Sequence, residues 1–316
     1  MKLTNSRFVF LALFAILIFV ILFYGFDRMR RCYAVVFHKS GMIADYNGKG
    51  QINGEAYTYR EGQLIRKSVF KNGLFDGWTI EYYPSGAVKD SAFYSNNQVD
   101  GTELGFYESG KIKNRILYKS GQQQGESIRY YENGKVENRS LYKNSRLDGK
   151  EMEYYPNGNL KYSRFWRNNK PVGDFYDYYE NKHVKGYHTF DITGQKFYLV
   201  RYGQNGSVLK RDGYAFSNNL YYIDSDSVII LKDNGKYKSI KDLYLTVSIP
   251  PDQTTSFKLT VNGRIIKDFN IDGNAVQFPN VFSNAGDFDI TAEGILVDQS
   301  THAVTSETLK LRVIKE

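Results

Sequence analysis

Five segments of the chain fit one template: YYPSGAVK from Tyr82, FYESGKIK from Phe106, YYENGKVE from Tyr130, YYPNGNLK from Tyr154 and YYENKHVK from Tyr178. Each starts 24 residues after the last, without a slip. A fixed period of this size marks a repeat architecture, in which each unit is one supersecondary element that buries its apolar side only against its neighbours. The middle of the chain is therefore expected to be an elongated surface, whatever it holds.

A second register agrees with the first. Gly77, Gly101, Gly125, Gly149 and Gly173 precede each aromatic pair by five residues, and Gly86, Gly110, Gly134 and Gly158 follow its first member by four. Gly54, Tyr59 and Gly62 begin the series, and Tyr202, Gly206, Val208 and Tyr214 extend it, giving about seven units with degraded outer ones. Alternation in Gly77 to Tyr83 predicts a strand with Trp78, Ile80 and Tyr82 on one face; Ile128 with Tyr130 and Met152 with Tyr154 repeat it. Pro84-Ser85-Gly86 and Pro156-Asn157-Gly158 read as turns. The return strand ends in an aromatic (Phe70, Tyr94, Tyr118, Tyr142, Trp166), and Lys71-Asn72-Gly73 or Lys143-Asn144-Ser145 turns the chain again. The expected object is an antiparallel meander with one hairpin per repeat.

Glycine, an aromatic pair, x-x-Gly, an apolar residue and then Tyr-Lys-Asn-Gly with Asp-Gly together resemble the MORN repeat, in the bacterial variant of the toxin-antitoxin system YwqK family antitoxins. The resemblance covers roughly residues 50 to 215. It implies a twisted single-layer β-sheet and contacts with proteins or membranes rather than catalysis.

Phe8 to Tyr24 is an uninterrupted apolar run that Gly25 and Phe26 extend to the length needed to cross about 30 Å of hydrocarbon. It exceeds the usual signal-peptide core, and Asp27-Arg28-Met29-Arg30-Arg31 stands where a small-residue cleavage site would be, so it is expected to stay as an anchor. Arg30 and Arg31 likewise argue against lipid attachment at Cys32, the single cysteine. Arg28, Arg30 and Arg31 outnumber Lys2 and Arg7, which counts toward a cytoplasmic body; the short positive start and long following domains count toward an extracytoplasmic, periplasmic one, which we favour.

From about Leu220 the period gives way to short, evenly spaced apolar runs, with Asn262-Gly263 as a strong two-residue hairpin signal. About 100 residues of such strands predict a separate β-sandwich of immunoglobulin-like shape. The expected organisation is an all-β protein with an anchor at 1–26, a juxtamembrane linker at 27–48, repeats at 49–215 and a sandwich at 216–316.

Little in the sequence points to chemistry. Asp174, Asp177, His183, His188 and Asp191 crowd one degenerate repeat, but without the compact spacing of a structural zinc site, so neither metal nor cofactor is expected. Phosphate-cradling and nucleophile-elbow motifs are absent, and no enzyme is expected. The formal charge of +8 is modest, with 42 Lys and Arg against 34 Asp and Glu.

The candidate binding surface is a ladder of tyrosines. Continued alternation would place Tyr83, Tyr107, Tyr131, Tyr155 and Tyr179 on the face opposite Tyr82 and its equivalents, recurring every ~10 Å beside Lys113, Arg115 and Arg139. Tyrosine and arginine are favoured at recognition surfaces, although a lone sheet also needs cross-strand aromatic pairs for its own stability. The expected function is a membrane-anchored scaffold whose repeats bind a protein or peptide partner. The alternatives are an antitoxin-like inhibitor, against which the basic repeats weigh, or a binder of anionic lipid or cell-wall polymer. Nucleic acid is disfavoured, because the anchor would have to coexist with cytoplasmic exposure.

Overall fold

The computed structural model describes Ile16 and residues 40–316 other than 225, 226, 239, 273 and 300, and leaves the side chains of 227 and 272 undescribed. The anchor expected at 8–24 lies outside the described residues, Ile16 apart. Among the described residues no helix is long and apolar enough to cross a membrane. The chain divides into two compact units, 1–134 and 135–316.

The first unit is a meander of β1 (Gly41–Tyr46), β2 (Ile52–Arg60), β3 (Gln63–Lys71), β4 (Leu74–Tyr82), β5 (Val88–Ser95), β6 (Gln98–Val99), β7 (Gly101–Phe106), β8 (Ile112–Lys119) and β9 (Gln122–Tyr130). Successive strands pair antiparallel. β1 lies in the stretch expected to be linker. It joins the sheet because Ala44 fits against Ala56 in a column of small residues: Ala44, Ala56, Ser68, Thr79 and Ala92, paired in series and all buried.

Two devices make the hairpins uniform. Asn96 and Asn97, at φ 49° and 67°, both adopt the left-handed conformation of a type I′ turn, as do Asn144 with Ser145 and Asn168 with Asn169 in the second unit. The other turn carries a β-bulge, which inserts one unpaired residue into a strand. Glu81 faces Asp90 but Tyr82 faces Val88, leaving Lys89 over; Lys113, Lys161 and Lys185 are left over in the same way.

Directly paired residues share a face, so the two faces can be followed across each sheet. The face of Thr79 is the more buried and carries the return-strand aromatics, with ring centroids 4.3 Å apart for Phe70 and Phe75 and 5.4 Å for Phe75 and Tyr94. Trp78 and Ile80 do share the opposite face, but it is the open one, since the first unit has no second layer among its described residues. Tyr82, beyond the bulge, pairs with Val88, and Tyr130 and Tyr154 are half-buried rather than core.

In the second unit the meander comprises β10 (Val136–Lys143), β11 (Arg146–Tyr154), β12 (Leu160–Arg167), β13 (Lys170–Pro171), β14 (Gly173–Tyr178), β15 (Val184–Phe190), β16 (Lys196–Tyr202) and β17 (Val208–Gly213). Two five-stranded sheets follow. One has the order β19 (Ser227–Ile230), β18 (Phe216–Asp224), β21 (Leu243–Val247), β25 (Ala275–Phe278), β24 (Asn270–Asp272). The other runs β20 (Gly235–Tyr237), β27 (Val304–Lys315), β26 (Gly286–Asp298), β22 (Gln253–Val261), β23 (Arg264–Ile266), with β20 parallel to β27. Asn262 and Gly263, both at positive φ, make the tight turn between β22 and β23.

The second unit's core ignores the boundary expected at 215/216. Tyr187, Tyr198, Val200 and Tyr202 from β15 and β16 are buried in one cluster with Phe216, Leu245, Leu259, Val276, Ile290 and Val313 of the two sheets. Polar links follow the same path. The Tyr187 hydroxyl donates to Asp174 (2.7 Å) and accepts from the Ile249 N–H (2.6 Å), while Arg211 bridges Asp252 and Asp298. The last hairpins and the C-terminal sheets thus share one buried cluster within the second unit.

Candidate functional site

Tyr83, Tyr107, Tyr131, Tyr155 and Tyr179 each stand one residue past a strand end, and strand alternation does not reach them. They open the turns instead, as the Tyr155 N–H shows by donating to the Asn159 carbonyl (2.8 Å). Their hydroxyls are used by the fold. Tyr83 donates to the Phe106 carbonyl (2.7 Å), Tyr107 to that of Tyr130 (2.6 Å), Tyr155 to that of Tyr178 (2.8 Å) and Tyr179 to that of Tyr202 (3.0 Å). Each bond ties one hairpin to the next, at a strand end where the bulge disturbs the ladder. Four of the five tyrosines of the expected ladder thus tie one hairpin to the next through their hydroxyls.

The three cations separate. Lys113 is the bulge residue, its ammonium 5.7 Å from the Tyr107 ring centre, and Lys161 over Tyr155 and Lys185 over Tyr179 repeat that corner. Arg115 and Arg139 lie on the open face, opposite Leu104 and Met152, with Arg115 3.6 Å from Glu126.

The same open face carries a column that the tyrosine argument missed. In the first unit Trp78 (53% exposed), Phe93 (37%) and Leu117 (42%) stand in the open, Trp78 edge-on to Phe93 with centroids 5.7 Å apart. In the second, Leu141 (43%) and Phe165 (47%) do the same. Residues 93, 117, 141 and 165 keep the 24-residue period, each just before the return-strand aromatic, so the signal was present in the sequence. Some of the repeat glycines leave room for side chains in this register, though a Cβ on Gly101 would meet nothing. Gly77 and Gly149 sit at φ +131° and +125°, and a Cβ on them would come within 2.8 Å of Val69 and 2.6 Å of Leu141. Any other residue there would push the column residue aside.

Burial perturbs carboxylates on both faces. Burial, followed by the neighbouring Glu81 charge, pushes the Asp90 carboxyl above its ordinary range, and burial with the Asp90 charge does the same to Glu103. In the second unit, burial raises Asp174 to about 6 against the lowering effect of hydrogen bonds from Tyr187 and Thr189. His188 lies 3.7 Å from Asp177, but burial holds its pKa below the usual value, so the pair is not an ion pair at neutral pH. His183 Nδ1 meets the Gln204 carbonyl, and Asp191 accepts from Thr193, Gln195 and Asn219. Among the described residues no three His, Cys, Asp or Glu side chains converge to hold a metal.

Hairpins of one period, with an exposed apolar column and a tyrosine opening each turn, define the repeat. Three segments match the MORN repeat variant: 99–120, 123–144 and 147–168. Each segment contains one turn-opening tyrosine (Tyr107, Tyr131 or Tyr155) and one column residue (Leu117, Leu141 or Phe165). No curated protein matches the chain.

Proposed function

We propose that this chain is a non-enzymatic interaction protein, held to a membrane by Phe8 to Tyr24, that binds a protein partner on the open face of its MORN hairpins. The observation that carries this reading is the exposed column of Trp78, Phe93 and Leu117, with Leu141 and Phe165 keeping its period. Large apolar side chains aligned on one face mark interaction surfaces, and aromatic residues with arginine are enriched at protein interfaces. Arg115 and Arg139 flank the column. Known roles of MORN repeats in protein or membrane binding agree with this. The body is read as extracytoplasmic, because long domains that follow an anchor translocate largely regardless of charge.

The test is photo-crosslinking of the full chain in its own membrane, with a crosslinking residue at Phe93, Leu117 or Phe165 and, on the other face, at Arg129. A discrete protein adduct from the first three positions and none from Arg129 is expected. Adducts to lipid alone would replace the protein partner by a membrane surface, and equal yields from both faces would remove the column as a site.

A further inference from the structure

Where the second unit's repeat strands meet its first C-terminal sheet, there is a cavity of 620 Å³, within the ordinary small-molecule range of about 300–1,000 Å³. Phe165, Tyr176, Tyr221 and Tyr244 supply its apolar walls, the last two stacked at 5.3 Å. Most polar groups in the walls are already engaged. Asp174 Oδ1 accepts from Tyr187 and Thr189, Gln277 donates to Asp242 (3.1 Å), Asn270 meets Gln277 (3.4 Å), and the Tyr176 hydroxyl reaches the Ile249 carbonyl (3.4 Å).

What is left over is mostly donor in character. Asn274 is only 9% exposed, and its Nδ2 is buried without a hydrogen-bond partner, a costly state for an amide. Its side chain lies against Gly173, where a Cβ would come within 3.0 Å of Oδ1. Lys150 and Arg167, exposed and also lining the cavity, make no ion pair among the described residues. The unengaged donors, two of them cationic, stand beside aromatic rings, and they outnumber the single carboxylate of the lining, Asp174, whose Oδ1 is already taken. We infer that this cavity binds an organic carboxylate carried on an apolar body, its oxygens taken by Asn274, Arg167 and Lys150 and its body by the rings. The carboxylate could be a free small molecule or the C-terminal residue of a peptide, since both present the same chemistry. Neutral ligands of equal shape would leave the two cations unanswered.

Calorimetric titration of the full chain in detergent tests this with three probes: N-acetyl-phenylalanine, its uncharged amide, and a hexapeptide ending in phenylalanine with a free carboxylate. The two carboxylates are expected to bind at least tenfold more tightly than the amide. A preference between them identifies the source. Asn274→Asp should abolish binding, and Arg167→Gln, a change at an exposed side chain that leaves the fold alone, should weaken it about tenfold. Trp78→Ala, which tests the partner surface, should leave the titration unchanged. Equal affinity for acid and amide, no binding of any probe, or wild-type affinity in Arg167→Gln would overturn the proposal.

Discussion

The early and late hairpins share a template but have different fates on their open face. In the first unit that face holds Ser91, Phe93, Arg115 and Leu117, and Phe93 and Leu117 are open to solvent. In β15 the equivalent positions are Tyr187 and Thr189, both with no exposed surface, because the C-terminal sheets cover them. Where the face is covered, the arginine column turns to buried tyrosine and the large apolar column shrinks to threonine. One face of one repeat thus serves in one place as an internal packing surface and elsewhere as open apolar surface. The backbone is the same in both, so the side chains at two columns decide the outcome.

The largest expected effect tests whether that difference is energetic. Tyr187→Ala should cost about 4 kcal/mol, as large aromatic truncations in cores do, and should loosen the attachment of Ile249 as well. Leu117→Ala should cost under about 1 kcal/mol, since much of the side chain already meets water. Denaturant unfolding of both variants measures it. Similar losses would mean that the open face is buried in solution, and the comparison would fail.

A second effect concerns charge beneath the cover. Burial pushes the Asp174 carboxyl in the folded state up to about 6, against an ordinary value of 3.8. The folded state therefore holds the proton more tightly, and this favourable contribution is complete below the unfolded pKa and lost as pH rises through about 6. At pH 7.5 the buried carboxylate is a liability of about 2 to 3 kcal/mol. Asn at this position keeps the Oδ1 that accepts both bonds, so Asp174→Asn should stabilise the protein at pH 7.5 by a large part of that amount. It should also flatten the stability profile between pH 4 and 6. An unchanged profile would place Asp174 in contact with water rather than under the cover.

Much of this was legible from the period alone, and the misses have definite causes. Strands, type I′ turns at Asn144-Ser145 and the hairpin at Asn262-Gly263 follow from local chemistry that repeats or stands alone. The hydroxyl bonds of the turn tyrosines were not legible, because alternation describes residues inside a strand, and the extra residue at Lys113 or Lys161 is a matter of cross-strand register. Alternation put Trp78 and Ile80 on one face but could not say which face is covered, and a sheet with one layer leaves a face open. The linker concealed β1, since a single strand far from the strong repeats shows no period. The cavity at Asn274 joins residues more than 100 positions apart, and nothing local announces it.

The smallest effect separates staples from contacts. Tyr107 and Tyr155 are half-buried, and each gives its hydroxyl to a carbonyl of the following hairpin, at 2.6 and 2.8 Å. Replacing either by phenylalanine keeps the ring, and with it the cation contact from Lys113 or Lys161, and removes only the bond. A bond of this kind contributes about 1 kcal/mol, and water reaching the freed carbonyl at an exposed turn lowers the loss further. Tyr107→Phe and Tyr155→Phe should therefore each cost about 0.5 to 1 kcal/mol, and the double variant should show the two losses added, as for sites that share no partner. Photo-crosslinking through Leu117 should be untouched in both. Loss of crosslinking with stability unchanged would return the tyrosines to the binding surface and make the open column a bystander.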